Sequence, residues 1–377
     1  MDIILPIIFI ALGIFLPLFF NISSKHKEIL ILLWLYHLIF SVYYCFFLKG
    51  VDAFGYWRYA AKKMTPMDFN EQILIPGTHF MNAICYPFAN TLGFSYFSLT
   101  LFFSLIGFIG IILTYKMFLE LVPKSSKLCG ITIFPFIMFL PNLHLWSVAV
   151  GKDSLLFFTC VALVYSLIKI KKRLLLAIFS FWLTFNVRPH CALIFIIALG
   201  YSFLFGAKVS ASLKIIISTL LFAGILILSP VVFEMFGVTE VDEVVGAFDS
   251  FSSNLSYGNT AVDISKYPYP LKLLSYLYRP FFFIDRMKLT DLVIMFENLF
   301  VVLLTIKVFK SHPIRAFKAS PFIIKFSLMF FLFGAMIFCM VMSNLGLIIR
   351  QRNIFYPCML LFFVWVLSYN NQMKLNR

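Results

Sequence analysis

The chain has 377 residues, of which 62% are hydrophobic, and its mean hydropathy is +0.97. A soluble core cannot use that much apolar surface. The apolar residues come in runs of about 17–24, which match the ~20 residues that span ~30 Å of bilayer and not the short alternating strands of a barrel. The net charge of +15 is distributed as a membrane-topology signal and carries no implication of nucleic acid binding.

The runs predict an all-α polytopic membrane protein of about eleven spans (10–12), forming a single integral domain over 1–377. Met1–Phe20 lacks a basic start and a small-residue cleavage site, so it reads as a retained first span at 3–20 rather than a signal peptide. The remaining spans are expected near 29–48, 94–115, 129–149, 154–170, 174–189, 190–206, 214–233, 291–309, 322–345 and 353–369. A first outer loop covers 49–93. A large outer loop with short helices covers 234–290, between spans eight and nine. The seven Cys show no CxxC and no pairing with His at ligand spacing, so neither structural metal nor disulfides are expected.

Short basic clusters set the expected orientation. Lys169, Lys171, Lys172 and Arg173 follow the fifth span, and Lys307, Lys310, Arg315, Lys318 and Lys325 surround the connection of the ninth and tenth. Placing these in the cytoplasm gives that side 18 of the 31 basic residues, with Glu28 and Glu120 as its acids. The N-terminus is then expected outside (periplasmic) and the C-terminus in the cytoplasm.

Several polar motifs fall at the outer ends of spans under this scheme. Asp52-Ala-Phe-Gly-Tyr56-Trp57 opens the first loop. A carboxylate beside aromatic rings is a frequent way to hold a sugar, and an interfacial aromatic belt is the alternative. Gly151-Lys152-Asp153-Ser154 follows His144 and Trp146; it lacks the upstream glycine of a phosphate-binding loop, and a helix cap is the alternative. Arg188-Pro189-His190 separates the sixth and seventh spans. Its Arg offers a phosphate-binding fork, its His a proton acceptor near neutral pH, and a hairpin with a snorkelling Arg is the alternative. Tyr278-Arg279-Pro280-Phe281 and Arg286 lie late in the large loop, where interfacial anchoring is the alternative. Asp263 and Tyr267 in that loop are further candidates for sugar contact. Arg350-Gln351-Arg352 reads as a short outward loop whose two positive charges need an anion. Glu297, inside the ninth span, is a salt-bridge partner or a general base.

In their order and common side these motifs resemble the O-antigen and capsule polymerase family, the Wzy-type polysaccharide polymerases of bacterial inner membranes. The resembling stretches are His144–Ser154, Arg188-Pro189-His190, Tyr278–Phe281, Arg350–Arg352 and the Asp-Ala-Phe-Gly-Tyr at 52. The paired RX10G-like loop motifs of that family do not both fit here. The resemblance implies a fold like that of membrane-embedded GT-C glycosyltransferases and O-antigen ligases. It implies joining of oligosaccharide repeat units carried on undecaprenyl diphosphate at the periplasmic face, with no metal, cofactor or nucleotide sugar. Expected partners are that lipid-linked oligosaccharide, the bilayer and a chain-length regulator membrane protein. Carried over, the resemblance implies diphosphate contacts from Arg188, Arg279 and Arg350 or Arg352. His190 is then the first candidate for the base, with Glu297, Asp263 and Asp52 behind it. An O-antigen ligase or another polyprenyl-dependent glycosyltransferase is the nearest rival, followed by a lipid-oligosaccharide flippase.

Overall fold

A computed structural model describes residues 3–48, 52–123, 126–128, 130–206, 210–235, 267–281, 285, 289–341 and 344–375. Most of the predicted loop at 234–290, including Asp263, lies outside the described residues, as does Arg286.

The helices are α1 (Ile4–Phe15), α2 (Ser24–Phe47), α3 (Asp52–Lys62), α4 (Pro66–Gln72), α5 (Thr78–Tyr86), α6 (Tyr96–Leu121), α7 (Ile133–Phe136), α8 (Pro141–Leu145), α9 (Lys152–Ile168), α10 (Ile170–Val187), α11 (Pro189–Gly206), α12 (Ala211–Met235), α13 (Tyr269–Tyr278), α14 (Leu289–Phe309), α15 (Pro313–Ala319), α16 (Phe322–Val341) and α17 (Leu345–Leu375). A two-stranded hairpin pairs Lys127 with Thr132 and Leu128 with Ile131. Among the described residues, seven helices are long and apolar enough to cross a membrane: α2, α6, α11, α12, α14, α16 and α17. The chain is therefore a multi-pass helical membrane protein. α12 shows its setting most directly, exposing Ile215, Ile216, Leu220, Phe222, Leu226 and Ile227 as a surface suited to hydrocarbon.

Three other predicted spans are helical but weaker candidates. α1 has 12 residues, α9 has 17, and α10 begins with Lys171-Lys172-Arg173. The predicted span at 129–149 is not a continuous helix. Pro135 pushes Phe134 into extended backbone (φ −101°, ψ 125°), and Pro141 starts a new short helix after an extended Leu140. Apolar composition indicated a span here, and two prolines divide it.

Packing divides the chain into two compact units: Met1–Met117 with Pro135–Arg188, and Phe118–Phe134 with Pro189–Arg377. In the first unit α2 and α6 run antiparallel. His26 Nδ1 meets the Tyr115 hydroxyl at 2.7 Å near one end, and Ser41 Oγ meets Ser104 Oγ at 2.8 Å midway. α6 and α9 run parallel. Gly110 abuts Phe157, and six residues further along α6 the Lys116 ammonium lies 5.4 Å from the Tyr165 ring. Two successive helices in one direction need a return path between them. Its last part climbs beside α2 in short pieces, with Phe139 against Tyr36, Trp146 against Tyr44, and Gly151 against Tyr56. Such backbone is tolerated at membrane depth only where protein buries it or it lines a cavity, and Asn142, Leu143, His144, Ser147 and Val148 are all buried. α10 then folds back on α9, and Thr184 Oγ1 donates to Thr159 Oγ1 at 2.8 Å.

In the second unit α11 packs on α12 and α16, and α16 packs on α17. Phe195, Phe326, Phe330 and Phe355 form a continuous ring cluster. Gly334 leaves room for Phe355, whose ring carbons would lie 2.7 Å from any added Cβ. α13 lies across α16 and touches α14 and α17.

At Gly107 the α6 backbone comes up against the return path, since a Cβ there would overlap the Ser147 carbonyl. Gly107→Ala is expected to destabilise the protein by about 1–3 kcal/mol, measured by thermal unfolding in detergent. Gly55→Ala, in α3 with nothing within 4 Å of its Cβ position, is expected to leave the unfolding temperature level or slightly raised.

Candidate functional site

Each unit assembles its own group of polar side chains. In the first unit the group forms where α3, α5, α9 and α10 end or begin. The peptide N–H of Gly77 donates to the Asn186 carbonyl at 2.8 Å, fixing the turn before α5 to the end of α10. Gly77 has φ +92°, a conformation that favours glycine. Beside it Lys152 Nζ donates to Thr78 Oγ1 at 3.1 Å. Asp153, in the first turn of α9, accepts from Arg188 Nη2 at 3.2 Å, and both side chains are 12% exposed. The N-terminus of α9 favours the carboxylate. Arg188 leaves the helix with extended backbone while its N–H still bonds the Thr184 carbonyl at 2.8 Å. Tyr56, buried on α3, lies 3.8 Å from the Cβ position of Gly151.

Three motifs from distant stretches thus meet in this unit: the Asp52–Tyr56 turn of helix, Gly151-Lys152-Asp153, and Arg188. Asp52 is exposed at the start of α3. Trp57 is placed for packing. Its indole N–H donates to the Phe94 carbonyl at 2.9 Å, and its ring lies against Phe54 and Tyr96. Thr78 and Asn186 join the group without any sequence signal that singled them out.

In the second unit the group surrounds Arg279, the residue that caps α13 and precedes a cis peptide to Pro280. The Arg279 guanidinium takes Asp285 through both Nε and Nη2. Nε lies 3.1 and 3.2 Å from the two carboxylate oxygens. Asp285 Oδ2 also accepts the Phe281 N–H at 2.9 Å, so one carboxylate holds the turn and the cation together. Burial works against the charge of Arg279, but the bonds and charge of Asp285, joined by the Tyr267 hydroxyl, outweigh it and hold its pKa above the ordinary arginine value.

Arg352 supports this turn from within. It is fully buried, and its Nη1 donates to the Leu277 carbonyl at the end of α13 and lies 3.5 Å from that of Tyr276. Its Nη2 donates to Asn298 Oδ1 at 2.8 Å, and Asn298 Nδ2 donates to the Pro280 carbonyl at 2.8 Å. The carbonyls that α13 leaves open are thereby satisfied by a charged donor. The expectation of a short outward loop at Arg350-Gln351-Arg352 is corrected. These residues lie inside α17, about two turns from its start. Arg350 and Arg352 are two positions apart on a helix, about 200° around its axis, and cannot act as one fork. Arg350 is partly exposed, whereas Arg352 turns inward. We therefore reassign Arg352 from anion binding to support of the Arg279 turn.

His190, in the first turn of α11, sets its ring 5.6 Å from that of Phe338. The next residue, Cys191, lies within electrostatic reach of Tyr276, one turn before Arg279. Tyr269 reaches the Met336 carbonyl at 3.5 Å. The start of α11 and the last turns of α16 thereby lie beside α13, which has Tyr267 just before it and Arg279 just after it. Glu297 is buried in α14 and faces Tyr356, which also feels the charge of Arg352. That position belongs to the internal support and is one residue from Asn298. Among the described residues no group of three or more His, Cys, Asp or Glu side chains has the arrangement of a metal site.

Removing the Arg352 guanidinium leaves the Leu277 carbonyl and Asn298 without a donor. Arg352→Met is expected to cost about 1–3 kcal/mol of stability and to expose the 276–281 backbone to hydrogen exchange. Arg350→Met, at a partly exposed position, is expected to cost less and to leave the 276–281 backbone protected. No family model, curated protein or solved structure matches this chain.

Proposed function

We propose that the protein is a membrane glycosyltransferase that polymerises oligosaccharide repeat units carried on undecaprenyl diphosphate, working at the periplasmic face of a bacterial inner membrane. The observation that carries this reading is the Arg279 turn. A part-buried guanidinium sits at a helix end, held by Asp285 and Tyr267 and backed by the buried Arg352–Asn298 pair. Transfer of a glycan from a lipid diphosphate breaks the bond between the anomeric carbon and the phosphate oxygen. Negative charge then grows on the diphosphate, and a preorganised cation is the protein's means of stabilising it. The acceptor hydroxyl forms the new bond to that carbon and gives its proton to a base.

In this reading Arg279 contacts the diphosphate. Arg350, partly exposed two turns into α17, supplements it. His190 takes the acceptor proton. Tyr267 and Asp263 are sugar contacts. The apolar surfaces of the multi-pass helices receive the polyprenyl chain. The Lys152–Asp153–Arg188 group of the first unit, with Asp52 and Tyr56, is a second polar group with the composition of an anion or sugar contact. Eleven spans, a GT-C-like fold, a periplasmic N-terminus and a chain-length regulator as partner belong to the same proposal.

Arg279→Ala and Arg279→Lys are both expected to leave the protein inserted and abundant while surface polysaccharide falls to single repeat units. Lys lacks the planar fork that grips a diphosphate through two bonds. Asp285→Asn keeps the guanidinium and is expected to retain long chains. Polysaccharide ladders on gels read the outcome. Normal ladders in Arg279→Ala refute the assignment, and loss of ladders in Asp285→Asn alone reduces Arg279 to a partner of Asp285. Loss of transfer of finished chains to a lipid core, with polymerisation intact, makes the protein a ligase instead.

A further inference from the structure

His37 on α2 and His144 on the broken return path face each other in the middle of the first unit, Nδ1 to Nδ1 at 2.9 Å. Both rings are fully buried. Each spends its other nitrogen on a backbone carbonyl. His37 Nε2 lies 3.1 Å from the Ser104 oxygen, and His144 Nε2 lies 2.7 Å from the Met138 oxygen. A carbonyl only accepts, so both Nε2 atoms must carry hydrogen. In two neutral rings those are the only two ring protons. The two Nδ1 atoms would then present lone pairs to each other at hydrogen-bond distance. Moving one proton to an Nδ1 repairs that contact and leaves a bare Nε2 facing a carbonyl instead. Every neutral arrangement of these rings therefore contains at least one acceptor–acceptor contact in a fully buried site.

A third proton removes the conflict, because N–H⁺···N joins the rings and both carbonyls keep their donors. Burying that charge is costly, and the rings around the pair offset part of the cost. Trp34 and Phe108 lie 6.0 and 5.8 Å from the His37 ring. Tyr36 and Phe40 lie 4.8 and 5.9 Å from that of His144, Phe40 stacked on it. Four aromatic rings thus enclose the pair, and aromatic faces attract cations. The hydroxyls of Ser41 and Ser104 bond each other beside His37. Of these groups facing the pair from α2, α6 and the return path, Tyr36 alone titrates, and none carries a formal charge.

We propose that His37 and His144 share one bound proton, so that the first unit contains a buried proton-binding site within its membrane-embedded helices. The proton ties α2 and α6 to the return path. Its loss forces one ring to turn and release either the Ser104 or the Met138 carbonyl, which loosens the segment leading to Lys152 and Asp153. The proposal rests on the geometry of this site and is independent of the glycosyltransferase reading.

The test is a count of ring nitrogens by magnetic resonance on protein labelled with 15N in its histidine rings and held in lipid. The measurement is made at about pH 8, above the ordinary histidine value of about 6.5. With His26, His79, His190 and His312 replaced by Gln, only the pair remains. The expected result is three protonated nitrogens to one bare, with direct coupling between the two Nδ1 atoms. Two protonated to two bare, or four protonated, overturns the proposal. Should that variant fail to fold, the intact protein with its six His reads the same difference as five bare nitrogens against six.

Discussion

Backbone carbonyls freed by a broken helix, in a place where water is scarce, are the constraint on which the rest of this structure depends. Each must be met by a donor from the protein itself, and the donors here are ionisable side chains. Arg352 meets the end of α13 at Leu277, and His144 meets Met138 in the proline-divided segment. Asn298 extends the first of these to Pro280. An unmet buried carbonyl costs on the order of 1–3 kcal/mol, and a hydrogen bond from a charged donor is worth roughly twice a neutral one. This arithmetic explains why Arg352 is tolerated inside an apolar molecule: its charge is spent on carbonyls where a helical ladder ends.

The same constraint separates two kinds of arginine in the second unit. Arg352 has its donors turned inward and works as structure. Arg279 is held by a carboxylate and a phenol at a partly exposed turn. The internal network makes the outer turn rigid, because Arg352 and Asn298 fix the backbone on both sides of Arg279. In the first unit Arg188 and Asp153 repeat the arrangement more simply, with one carboxylate at the start of α9 facing one cation at the end of α10.

Much of the helical layout was legible from hydropathy, because an apolar run of about 20 residues has few other uses. The runs at 94–115, 190–206, 214–233, 291–309 and 322–345 correspond to α6, α11, α12, α14 and α16. The run at 129–149 is not one continuous helix, because hydropathy weighs side chains and ignores Pro135 and Pro141. Arg350-Gln351-Arg352 was misread for the opposite reason. Charge was read as the end of a span, whereas α17 carries it inside and buries one guanidinium completely. The Arg-Pro-His and Arg-Pro-Phe motifs were legible as helix breaks, since proline stops the ladder. The contacts of Asn298, Thr78 and Asn186 were not, because they depend on which stretches meet in space. The His37–His144 pair was hidden by its 107-residue separation.

The parallel run of α6 and α9 bears on how sidedness is inferred for this chain. Lys116 and Arg173 both lean on the Tyr165 ring, so they share one end of their unit although a return path and the apolar helix α9 separate them along the chain. A scheme that counts only uninterrupted helices would skip the stretch between them and invert the parity of everything beyond it. The proline-divided segment thereby decides the direction in which α9 and α10 run within the first unit.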